Sequence, residues 1–214
     1  MRNRIFSCLA IFLCLFGVHA MAADAPVEGK DYQLLTPPQP TSAPGKIVVM
    51  EFFSYQCSHC FTFHPFITSW AKRLPADVVF EQIPVSLGNR SWAPIAQSFY
   101  ALQALGKLEQ LDRLIFNAIH TQSIKLNTEA DIIAFVSRHG VNAAEFTTAF
   151  NSFGVKSSMA RAEQQMRTHR VQGTPAIVVD GKYIILNDGI KSYEELLTRT
   201  DRVVAKIRAE KARK

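Results

Sequence analysis

Apolar positions along this chain change period several times. Ile47 to Phe53 (IVVMEFF) is a short, nearly continuous apolar run, as expected of a strand covered on both faces, and Glu51 is its only charge. After Ser54-Tyr55-Gln56 the period turns helical. Phe63, Phe66, Ile67, Trp70 and Leu74 recur on one side as far as Leu74-Pro75, and Pro65 is expected to kink that helix. Val78 to Val85 reads as a second strand, which completes a strand–helix–strand unit with a parallel, right-handed crossover. Trp92, Ile95, Phe99 and Leu102 then form one helical stripe, stopped by Gly106, and Leu108, Leu111, Ile115 and Ile119 form another. Thr128 with Asp131 and Asn142 with Glu145 mark capped starts of two short helices, and Val155 to Arg170 is a further helical run ended by Gly173. Ala176 to Val179 and Tyr183 to Leu186 flank Asp180-Gly181, a two-residue hairpin signal. Ser192 with Glu195 opens a final helix carrying Leu196, Leu197, Val203, Val204 and Ile207 on one side. The pattern predicts an α/β fold: a small mixed sheet with an inserted all-helical subdomain.

The ends change that picture. Arg2 and Arg4 precede the apolar run Ile5 to Val18, which closes in small residues at Ala20-Met21-Ala22. That is the layout of an export signal, cut after Ala22, and the run is shorter than the roughly 20 apolar residues of a membrane span. Residues 23–45 are rich in proline and read as an extended lead-in, with Tyr32-Gln33-Leu34 as a short edge strand. Losing Arg2 and Arg4 lowers the formal charge from +6 to about +4. The most basic stretch, Lys206 to Lys214, suits a solvated helix end, and no motif for nucleic acid accompanies it.

Export also removes two of the 4 cysteines, Cys8 and Cys14, and leaves Cys57 and Cys60. One adjacent pair cannot staple a chain this long, so reactive thiols are expected. A Cys-x-x-Cys pair between a strand and a helix puts its first sulfur at the helix N-terminus, where free N–H groups and the dipole favour a thiolate. Cys57 is then the exposed, attacking and attacked sulfur, and Cys60 its buried partner. Ser58 and His59 between them set the redox poise; His59 favours the reduced form by lending the thiolate charge or a hydrogen bond. Haem attachment would need histidine after Cys60, where Phe61 stands. A zinc site would need two more ligands, of which His64 offers one. His120, His139 and His169 lie on helical stretches with no visible partners and read as surface or packing residues.

The segment Glu51-Phe52-Phe53-Ser54-Tyr55-Gln56-Cys57-Ser58-His59-Cys60 resembles the active-site segment of the DsbA family of thioredoxin-fold oxidants. Gly173-Thr174-Pro175-Ala176 is similar to that family's cis-proline loop, and Val179-Asp180-Gly181-Lys182-Tyr183 to its hairpin. The resemblance spans essentially the whole exported chain. It implies a thioredoxin-like fold in two parts, residues 46–87 and 161–214, around a helical insertion at residues 88–160. It further implies a cis bond at Thr174-Pro175, with the Thr174 backbone beside Cys57 ready to pair with an extended substrate, and Glu51 beneath the disulfide moving protons and tuning Cys60. A low first-thiol pKa and strong oxidising character are family traits. Ser58 departs from the family's usual proline, and Gln82 stands where some members carry a buried lysine. The implied activity is introduction of disulfides into newly exported polypeptides in the periplasm by a monomer. Its redox group is its own disulfide, with no cofactor or metal, and a DsbB-like, quinone-linked membrane partner reoxidises it. A disulfide isomerase or reductase on the same fold, and a thiolate metal carrier, are the alternatives.

Overall fold

The computed structural model describes residues 25–213; the expected export signal at residues 1–22, with Cys8 and Cys14, lies outside the described residues. A five-stranded sheet has the order β1 (Tyr32–Leu34), β5 (Tyr183–Ile185), β4 (Ala176–Val179), β2 (Ile47–Phe53), β3 (Val78–Pro84). Only β2 and β3 are parallel; the remaining pairs are antiparallel. Between β2 and β3 runs α1 (Ser58–Ala71). Helices α2 (Ala93–Ala104), α3 (Leu108–His120), α4 (Glu129–Arg138), α5 (Ala143–Asn151) and α6 (Phe153–Thr168) lie between β3 and β4, and α7 (Tyr193–Lys211) ends the chain.

Every residue of β2 is buried because a layer of helix covers each face. Ile47 and Val49 pack on Phe63, Ile67 and Trp70 of α1 and Val203 and Ile207 of α7. Val48, Met50 and Phe52 point the other way, toward Ala162 of α6. Glu51 shares its parity with Ile47 and Val49, so the two-residue period of the strand carries its carboxyl to the α1 face. Phe53, Tyr55 and Cys60 belong to a third core, the one shared with Phe99, Ile115 and Phe116 of the insertion. The cysteine pair therefore sits where the sheet, α1 and the helical insertion meet.

Helix ends differ from expectation by local chemistry. α1 stops at Ala71, short of Leu74, because the residue before Pro75 is barred from helical geometry and the chain closes in tighter turns, Arg73 N–H to the Trp70 carbonyl and Leu74 N–H to the Ala71 carbonyl. α6 begins at Phe153 because the Ser152 hydroxyl caps it. It ends ahead of Gly173, since Arg170 itself takes the left-handed position (φ 55°) and Val171 N–H returns to the Met166 carbonyl. α6 runs unbroken past residue 160 and packs on α2 and α5 as well as on β3.

The lead-in is more than a tether. Gln39 N–H donates to the Gly181 carbonyl and Leu35 N–H to the Lys182 carbonyl, and Thr36-Pro37 is a second cis bond that the sequence did not announce. Asp180 and Gly181 both have positive φ, as a type I′ hairpin turn requires. A Cβ on Gly181 would overlap the Gln39 carbonyl. Gly181→Ala is therefore expected to cost about 2–3 kcal/mol in urea unfolding, the sum of left-handed strain and displaced backbone. Gly140→Ala, at φ 85° with open space around it, carries the strain alone and should cost about 1 kcal/mol. Equal losses in the two variants would show that the lead-in does not press on the turn.

Candidate active site

Cys57 is the N-cap of α1 and Cys60 the third residue of its first turn. The turn begins directly after β2, with Cys57 N–H on the Ser54 carbonyl at 3.1 Å. Both cysteines are free thiols; Cys57 is half-buried, whereas Cys60 is 0% exposed. The Thr174-Pro175 bond is cis, and the Cys57 thiol donates to the Thr174 carbonyl at 3.2 Å. That contact spans 117 residues of sequence and brings the α1 turn against the loop before β4.

The two thiols are driven apart electrostatically. The Cys60 thiol is the main donor that favours a Cys57 thiolate; the Thr174 hydroxyl and the N–H groups of Cys60 and His59 add to it, against burial. Together they lower the Cys57 pKa to about 5. The Thr174 hydroxyl is buried and has no partner while Cys57 is a thiol donating to the carbonyl. Ionisation turns the sulfur from donor to acceptor, and the hydroxyl then has something to bind. Burial pushes Cys60 far above the usual thiol range, and the neighbouring Cys57 and Glu51 charges push it further. The His59 contribution is its backbone N–H; its ring, like Ser58, is exposed.

Beneath the pair, Glu51 is 2% exposed and so is no partly solvated strand-end carboxylate. Its register partner across β2 and β3 is Gln82, whose amide Nε2 donates to Glu51 Oε2 at 3.1 Å. A neutral amide compensates little for burial, so the Glu51 pKa rises to about 8, with the nearby Asp112 adding to the rise.

The loop bearing Pro175 has a groove on either side. A groove of 460 Å³ lies among Leu35, Arg170, Gly173, Ile184 and Leu186, and a smaller one of 190 Å³ among His59, Pro175, Ile190, Tyr193 and Leu196. Both grooves are lined in part by Thr174 and Pro175, the loop whose Thr174 carbonyl meets Cys57.

The DSBA-like thioredoxin domain family matches residues 91–199. The thiol:disulfide interchange protein DsbA of Pseudomonas aeruginosa is 37% identical over 209 residues, 98% of each chain. The chain belongs to the DsbA family. The corresponding protein of Pseudomonas syringae pv. tomato is 36% identical over 98% of this chain and 97% of its own. In three dimensions the crystal structure of Pseudomonas aeruginosa DsbA aligns with TM-score 0.82 at 37% identity, over 87% of this chain and 96% of its own. The DsbA of Xylella fastidiosa aligns with TM-score 0.79 at 32% identity, over 86% and 98%. The DsbA-family domain match starts just before α2, so Cys57 and Cys60 lie in the stretch that the full-length DsbA relatives add.

Residues that periodicity left silent also meet here. The Tyr55 hydroxyl donates to Asp112 Oδ1 at 2.5 Å, and His64 Nε2 lies 3.5 Å from Asp112 Oδ2. His64 thus faces a carboxylate across α1 and α3. His120 Nε2 lies 2.8 Å from the Tyr55 carbonyl, and its ring stacks on Phe61. α3 therefore grips the residue two places before Cys57 by phenol and by backbone. One signal was available: Asp112 is a carboxylate beside the apolar stripe of α3, and it is buried. His139 and His169 are occupied locally, each ring bonded to a carbonyl four residues back on its own helix.

Proposed function

We propose that this chain introduces disulfide bonds into newly exported polypeptides, with Cys57 and Cys60 as its redox pair. The feature that carries this proposal is the asymmetry of the thiols: Cys57 is half-buried at the helix N-cap with its pKa lowered to about 5, whereas Cys60 is fully buried and its thiol is pushed far above the usual range. Stabilising the reduced, thiolate form makes the corresponding disulfide a strong oxidant. A substrate thiolate attacks the Cys57 sulfur, the Cys57–Cys60 bond breaks, and Cys60 leaves and takes up a proton, for which Glu51 is the neighbouring source. A second substrate thiolate attacks the substrate sulfur of the mixed disulfide, and Cys57 leaves as a thiolate. Two electrons pass from substrate to protein, and a quinone-linked membrane partner like DsbB removes them. Thr174 and Pro175 align the extended substrate, while Ser58 and the His59 backbone complete the turn that sets the poise. In this proposal the chain acts as a periplasmic monomer, with residues 1–22 as its export signal, residues 46–87 and 161–214 as its thioredoxin-like parts and residues 88–160 as the insertion. No helix among the described residues is long and apolar enough to cross a membrane.

The test is to mix the oxidised protein with a reduced, unfolded polypeptide and count thiols. Substrate thiols should vanish two for each disulfide supplied, and the Cys57–Cys60 pair should be mostly oxidised in cells. A mostly reduced pair, together with faster rescue of a scrambled substrate than oxidation of a reduced one, would assign the site to an isomerase or reductase.

A further inference from the structure

Tyr193 is the first residue of α7, 134 positions from the cysteine turn, and its hydroxyl donates to the His59 carbonyl at 3.2 Å. A carbonyl in the first turn of a helix uses one lone pair for the N–H four residues on, which leaves the other for an outside donor. The ring is fixed independently of that bond. Its centroid lies 5.0 Å from that of Phe63 and 5.8 Å from that of Phe66, both on α1. Burial, and then the charges of Cys60 and Cys57, push the phenol up, so it remains a donor when the site is ionised.

The His59 carbonyl and the Cys60 N–H are two ends of one peptide group. That N–H is among the donors that favour the Cys57 thiolate. The sulfur closes no formal cap hydrogen bond in the free-thiol state, so the N–H is a donor held ready for the charge. A hydrogen bond to the oxygen of a peptide fixes its plane and polarises it, which strengthens the donor at its other end. We propose that Tyr193 is a positioning residue: through the His59–Cys60 peptide its hydroxyl keeps the Cys60 N–H aimed at, and polarised toward, the Cys57 sulfur. The start of the last helix thereby supports a thiolate on the first, a link that local sequence around the cysteines does not contain. The same side chain walls the 190 Å³ groove beside Pro175, so the residue that supports the thiolate also borders the place where a substrate chain would lie.

The proposal rests on Cys57 being the working thiolate of the oxidant described above, and its test is separable from that function. Tyr193→Phe in the full chain removes the hydroxyl and keeps the ring on Phe63 and Phe66. Thiolate absorbance and alkylation rate against pH, neither of which needs a protein substrate, should show the Cys57 midpoint moved up, with about threefold less thiolate below it. Equilibration with glutathione should show the variant less oxidising by a similar factor, with thermal unfolding little changed. Tyr193→Leu, which also removes the ring, should give the same titration shift plus lower stability. An unchanged Cys57 titration in Tyr193→Phe overturns the proposal, and so does a shift confined to Tyr193→Leu, which would assign Tyr193 to packing alone. Oxidation of a reduced polypeptide by the unsubstituted protein, run alongside, reports separately on the function.

Discussion

Replacing Cys57 with alanine is expected to bring oxidation of a reduced polypeptide down to the uncatalysed background while the fold survives. Cys60 cannot take over, because it is fully buried and its thiol is held protonated far above neutral pH. Cys60→Ala should be equally inactive as an oxidant but different in kind. Cys57 stays half-buried, with a pKa lowered to about 5 by donors of which the Cys60 thiol is the first. Loss of that donor raises the pKa, yet the remaining sulfur still meets thiol reagents and substrate. Offered a disulfide-bonded polypeptide, the Cys57 thiolate attacks one of its sulfurs and the other substrate sulfur leaves as a thiol; with no Cys60 to displace the bound chain, these mixed disulfides should accumulate on Cys60→Ala and be absent from Cys57→Ala. Non-reducing electrophoresis after acid quenching separates the two cases. Adducts on Cys57→Ala would mean that Cys60 is reachable and would remove the division of labour between the sulfurs. Because Cys60 lies in the core shared with the insertion, its alanine variant should also lose about 1–2 kcal/mol of stability.

The second large effect concerns Glu51. Its pKa is about 8 in the folded protein against an ordinary 4.5, chiefly because of burial, with Gln82 opposing and Asp112 adding to the rise. The folded state therefore holds this proton more tightly than the unfolded chain does. The carboxyl is harmless to stability below pH 4.5, and its cost grows as pH rises from 4.5 to 8, where the folded protein must carry a buried charge. Glu51→Gln keeps the shape and retains hydrogen-bonding groups for Gln82. It should leave stability nearly unchanged near pH 4.5 and raise it by about 2–4 kcal/mol at pH 8. Urea unfolding of the disulfide form isolates this term, since Cys57 does not titrate there. A difference between variant and parent that stays flat over that range would contradict a buried, protonated carboxyl. The same variant should release Cys60 more slowly as a leaving group, which trades stability against turnover at a functional site.

Gln82 and Asp112 set the environment of Glu51. An amide faces Glu51 across the strands, and a second buried carboxylate lies close enough to raise the first. Asp112 is itself pushed up, by burial above all, while His64 and the Tyr55 hydroxyl work the other way. The polar groups below the pair thus come from β2, β3, α1 and α3.

How much of this could be read along the chain follows from the range of the forces involved. Strand, helix and hairpin identities were legible because apolar period, caps and Asp180-Gly181 act within a few residues. Cys57 and Cys60 were legible for the same reason, since a pair three positions apart at a helix start declares its chemistry locally. Glu51 stood out as one charge in an apolar strand, but its state did not, because desolvation depends on the layers that cover β2. Asp112, His120 and Tyr193 were silent for a related reason. Each reaches the cysteine segment across 57 to 134 residues of chain, through a hydrogen bond that exists only once α3 and α7 have packed. Period and spacing along the chain therefore decided which elements form and where the thiols stand. Packing decided which sulfur is reachable, which carboxyl keeps its proton and which distant hydroxyl touches the turn, because burial and hydrogen-bond direction are properties of the assembled fold.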